Sequence, residues 1–176
     1  MMKVIFCIVC ILLCSSLCFA EMHYPISENT NNRINELINV GSKLKDGLIV
    51  KMQQPPKNTP EGITEETFTN IWFDEIVDIE HFLYSIWYMV SIEHSHQEDD
   101  KVNEKAIGWI KEYINVQRDV LEKDFMQRSE SDLKAFDKTA PLKKWTKVKS
   151  YYESVNKLLD DMDKELFNNA KKSTRE

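Results

Sequence analysis

The side chains of this chain best suited to chemistry crowd one short stretch, where Glu93, His94, His96, Glu98, Asp99 and Asp100 offer imidazole and carboxylate groups to a divalent ion. Their spacing argues against a built metal site. Carboxylate-bridged metal pairs in helical bundles draw a Glu-x-x-His pair from each of two helices, whereas Glu93 with His96 and Asp78 with His81 share one predicted helix. His94 and His96, two residues apart, would point in different directions along a helix. The stretch therefore reads as a solvated helix end, with no metal ligand assigned and no cofactor implied.

Acid–base and nucleophilic chemistry fare no better. Glu75 and Glu93 lie near one apolar face, but eighteen residues of helix would set them about 27 Å apart, too far to act on one bond. They read as seam residues paired with lysine. There is no Gly-x-Ser-x-Gly elbow and no phosphate-binding glycine loop. No catalytic residue is assigned, and the chain is not expected to be an enzyme.

One charged cluster remains, formed by Lys134, Lys138, Lys143, Lys144, Lys147 and Lys149. Lysine at a helix start opposes the helix dipole, so a use for the charge is worth asking about. Lys143, Lys144 and Lys147 beside Trp145 are the candidate anion-binding group, for a phosphate, an acidic headgroup or an acidic partner. The competing reading is a solvated face balanced by Asp132, Asp137, Asp160, Asp161, Asp163 and Glu165.

All four cysteines, Cys7, Cys10, Cys14 and Cys18, fall within the first twenty residues. Lys3, the apolar run from Val4 to Leu17 and a small residue at Ala20 have the pattern of a secretory signal peptide, residues 1–20. An apolar run of that length is short against the roughly 20 residues needed to span a bilayer. The expected product is secreted, cysteine-free and held by apolar packing alone, with no disulfide and no stable membrane insertion. No Asn-x-Ser/Thr acceptor occurs. The formal net charge of −6, which becomes more negative once Lys3 leaves with the leader, argues against nucleic acid as a partner.

The elements that must position these residues are helices, because four glycines and five prolines barely interrupt the chain. After a flexible segment over 21–31, a first helix is predicted from about Asn32 to Gln53, with Ile34, Leu37, Ile38, Leu44, Leu48 and Met52 on one face. A linker from Gln54 to Glu61 leads to a second helix capped by Thr64 and reaching Ser95. Asp99 or Asp100 caps a third, whose core face carries Val102, Ala106, Trp109, Ile110, Tyr113, Val116, Val120 and Leu121 before it frays near Ser129. A short turn over Asp132 to Phe136 follows, and Thr139 with Pro141 marks the start of a fourth helix. There Trp145, Val148, Tyr152, Val155, Leu159, Met162 and Leu166 step by three and four residues. The fold class is all-α, an antiparallel bundle of about four long helices forming one domain over 32–170, with a tail over 171–176.

The second helix is apolar on two sides. Phe68, Trp72, Ile76, Ile79, Leu83, Ile86 and Val90 make one stripe, and Phe73, Val77, Tyr84 and Tyr88 make another. Either Met22 to Ile26 or the turn near Phe136 covers the second stripe, or it is a surface for a protein partner, a second copy or lipid. Phe73, Val77, Tyr84 and Tyr88 are accordingly the candidate partner-binding residues. The expected function is non-covalent binding of an extracellular or host protein by a secreted bundle. The alternative is a carrier that takes lipid or a small apolar ligand between its helices.

Overall fold

The computed structural model describes residues 26–55, 58–95, 100–135 and 142–173, and the side chains over 26–55, 58–90, 105–133 and 144–167. The expected signal peptide, Met22, Phe136, the caps expected at Asp99, Thr139 and Pro141, and residues 174–176 of the tail expected over 171–176 lie outside the described residues, while 171–173 belong to the last helix. So do the side chains of Glu93, His94, Asp100, Val102, Lys134 and Lys143, and the whole of His96, Glu98 and Lys138.

Four helices and no strand occur among the described residues, an all-α bundle. The first, α1, spans Glu28–Met52. It starts four residues before the sequence pattern predicts, because Ser27 caps it: the backbone N–H of Thr30 donates to Ser27 Oγ at 3.2 Å. Residues 26 to 31, expected to be flexible, are thus ordered, and Ile26 is buried.

The second helix, α2, spans Pro60–Ser95 and also starts early. Thr59, not Thr64, is its cap, since Gly62 N–H donates to Thr59 Oγ1 at 3.1 Å and Pro60 takes the first helical position, where its missing N–H costs nothing. Thr64 instead donates its hydroxyl to the Pro60 carbonyl at 2.8 Å.

The third helix, α3, is longer than expected. It runs as α-helix over Asp100–Asp119, widens into a π-helical stretch over Val120–Gln127 and returns to α-helix over Arg128–Ala135. No break occurs at Ser129, which is buried within it. The fourth helix, α4, spans Leu142–Ser173.

Each helix packs on the next, and α4 closes back on α1. Polar ties fix the antiparallel sense. Arg33 meets Asp161 at 2.7 Å between opposite ends of α1 and α4, Arg118 meets Asp160 at 3.2 Å across α3 and α4, and Lys45 meets Glu80 across α1 and α2. The Glu165 carboxylate accepts from Ser27 N–H at 2.8 Å and from Thr30 Oγ1 at 2.7 Å, placing negative charge at the start of α1 where the helix dipole favours it. Asp160, Asp161 and Glu165 therefore clamp α3 and α1 rather than balancing the lysine cluster.

The core holds every residue of the first α2 stripe and every residue of the predicted α4 seam. The face of α3 is rotated from expectation. Ile110, Ile114, Leu121 and Phe125 point inward, while Trp109 and Val116 are exposed and Tyr113 and Val120 half-buried.

Candidate functional site

Two features set α2 apart: a buried polar layer on its inner side and an aromatic ridge on its outer side. On the inner side Glu75, only 5% exposed, accepts a hydrogen bond from the Tyr152 hydroxyl at 2.5 Å. It is not a seam residue paired with lysine, as its position in the sequence suggested. Burial pushes its carboxyl up to about 7, against the opposing pull of the Tyr152 hydrogen bond and of Arg128. The same burial, with Glu75 beside it, drives the Tyr152 hydroxyl far above the usual phenol range.

Above this pair Trp72 stacks on Trp145 with ring centroids 5.7 Å apart, and its indole N–H donates to Ser129 Oγ at 3.3 Å. Across the bundle Glu80 pairs with Lys45, and burial with the Glu80 charge raises the Tyr151 hydroxyl. Of the adjacent tyrosines of α4, Tyr152 thus donates to the Glu75 carboxylate, while the buried Tyr151 hydroxyl feels the Glu80 charge without a hydrogen bond. Glu75 has its hydrogen-bond donor in place, is 5% exposed and lines none of the clefts on the described surface, which makes this layer a structural one.

The anion-binding candidates scatter. Trp145 is buried against Trp72, so it offers no surface to a ligand. Lys144 is tied to Glu65 at 2.8 Å, a carboxylate that Lys51 also approaches at 3.9 Å. Lys147 is exposed, and the side chain of Lys143 lies outside the described residues. Lys149 is held by Glu130 at 2.6 Å. Most of the described cluster is spent inside the molecule, and the structure does not bring these residues together around an anion.

The partner-binding candidates divide. Phe73 and Val77 are half-buried, with Phe73 packed on the core edge. Tyr84 and Tyr88 are 53% and 61% exposed, and Trp87 between them is 39% exposed. Covering segments were expected at Met22 to Ile26 or near Phe136; Ile26 enters the core beside Ser27 and Glu165, and Met22 and Phe136 lie outside the described residues. Trp87 was missed as a surface residue because by spacing it falls close to the buried stripe.

On the α3 side of α2 a cleft of about 340 Å³ opens, lined by Asp78, His81, Phe82 and Ser85 of α2 and by Tyr113, Gln117, Val120, Asp124 and Phe125 of α3. The residues lining it on α3 were assigned to the core or left unassigned in the sequence, because the π-helical stretch that re-aims Asp124 and Phe125 leaves no periodic signal. Among the described residues no cluster of three or more His, Cys, Asp or Glu side chains is fit to hold a metal ion, and no helix is long and apolar enough to cross a membrane. No known protein family, characterised protein or solved structure matches this chain.

Proposed function

We propose that this protein is a secreted binding protein that docks an extracellular protein partner on the outer face of α2. The observation that carries the reading is the ridge of Tyr84, Trp87 and Tyr88, three large aromatic side chains at 53%, 39% and 61% exposure on a helix whose opposite face is wholly buried. Rigid amphipathic rings of this kind give contact area at low entropic cost and dominate the binding energy of protein interfaces.

The ridge sits on a helix of 36 residues, anchored along its length by Trp72, Ile76, Ile79, Leu83 and Ile86, so it is presented on a stiff support. The compartment follows from the leader, and the absence of cysteine beyond residue 20 suits a protein that persists in an oxidising medium without thiol chemistry.

The test is affinity capture on immobilised full chain from the medium into which it is released, with Tyr84→Asp/Tyr88→Asp as control. The variant is expected to keep its helical circular dichroism and melting temperature and to lose the captured partner. Retention of the same partner by the double variant sinks the assignment of the ridge. Unfolding of the variant would show instead that both tyrosines are needed by the core.

A further inference from the structure

The cleft between α2 and α3 is a second site with its own chemistry, and we infer that it binds a small arylalkylammonium ion, an aromatic ring carrying a positively charged amine. Its floor is apolar and aromatic, since Phe82 and Phe125 are buried beneath it and Tyr113 and Val120 form half-buried walls. Its rim is anionic. Asp78 on α2 and Asp124 on α3 line the opening from opposite sides, and no lysine or arginine lines it. An apolar floor selects a ring, and two carboxylates against the single imidazole of His81 select positive charge over negative.

The rim also supplies the acceptors that an ammonium group requires. It has three donors and no acceptor, and it would meet the carboxylates of Asp78 and Asp124, the Ser85 hydroxyl oxygen and the Gln117 amide oxygen. Ser85 already donates its own hydrogen to the His81 carbonyl at 2.9 Å, which leaves its oxygen turned to accept. The electron-rich faces of Tyr113 and the floor phenylalanines attract a cation further. The volume of about 340 Å³ falls at the small end of ligand pockets, which suits a single ring with a short tail and excludes a long acyl chain.

A separate observation points to the same place. Val120, Asp124 and Phe125 all belong to the π-helical stretch Val120–Gln127, and such stretches interrupt α-helices mainly where function needs a side chain re-aimed. The stretch supplies one carboxylate, one wall and one floor residue of the cleft. This site is distinct from the Tyr84 to Tyr88 ridge, and neither reading depends on the other.

Isothermal titration calorimetry of the full chain with tryptamine and with indole-3-propionate, which share a ring and differ in charge, decides the matter. Tryptamine is expected to bind one to one, with indole-3-propionate at least about tenfold weaker. Asp78→Asn and Asp124→Asn, both at exposed positions that the core does not use, should each weaken tryptamine about fivefold, and the double variant by more than about tenfold, at unchanged melting temperature. The proposal is overturned by equal binding of the amine and the acid, by no saturable tryptamine binding up to about 1 mM, or by full affinity in the double variant.

Discussion

The two glycines of α1 look alike in sequence and differ in structure. A methyl group at Gly41 would lie 2.5 Å from the Tyr151 hydroxyl oxygen and 3.3 Å from Glu80 Oε1, whereas at Gly47 it meets nothing within 4 Å. Alanine outranks glycine by about 1 kcal/mol in a helix interior, so Gly47→Ala should stabilise by roughly 0.5–1 kcal/mol. Gly41→Ala should destabilise instead, because the buried Tyr151 ring must move from its seat. Chemical denaturation of the two variants checks the opposite signs. Glu75 supplies a pH dependence. Its carboxyl sits at about 7 when folded and near 4.5 when unfolded, so between those values the folded chain holds the extra proton. This group's contribution to stability is therefore full below pH 4.5 and is lost as pH rises through about 7, a change of roughly 3 kcal/mol. Glu75→Gln keeps an acceptor for Tyr152 and removes the titration. It should match the parent near pH 4.5 and melt higher than it at pH 8, as thermal melts at both values would show.

At the scale of the element, legibility followed periodicity. The α4 seam and the first α2 stripe were readable because Trp145 to Leu166 and Phe68 to Val90 keep strict three and four spacing, and all of those residues are buried. On α3 the apolar residues fill more than one face, so Trp109 and Val116 looked as inward as Ile110. Packing chose Ile114, and the π-helical stretch then kept Leu121, Phe125 and Ser129 inward at intervals of four. Of the candidate surfaces, the Tyr84 and Tyr88 pair was visible as a second stripe, while the cleft was not, since its residues come from two helices and an irregular turn. The cap at Thr59 was hidden by the prolines around it, which read as linker. Thr59→Ala should cost about 1 kcal/mol, because Gly62 N–H loses its acceptor at the start of α2. Thr64→Ala should cost less than half of that, a contrast measurable by urea titration.

For the molecule as a whole, the buried polar layer fixes how four similar helices align. Lys45 with Glu80 ties α1 to α2, and Glu75 with Tyr152 ties α2 to α4, so a shift of α1, α2 or α4 by one turn strands a charge or a hydroxyl in the core. Lys45→Met alone leaves the Glu80 carboxylate buried without its cation and should cost about 2–3 kcal/mol. Adding Glu80→Leu should recover most of that loss, and a double-mutant cycle followed by denaturant unfolding reads the coupling. The four tryptophans divide along the same lines. Trp72 and Trp145 are stacked and buried, Trp87 stands on the α2 ridge, and Trp109 lies exposed one turn before Tyr113 of the cleft. The chain thus carries its own optical labels. The stacked pair should give an exciton couplet in the far-ultraviolet that vanishes only when α2 and α4 part. Two of the four indoles, Trp87 and Trp109, should be open to acrylamide quenching, and Trp87 reports occupancy of the ridge without a dye attached anywhere.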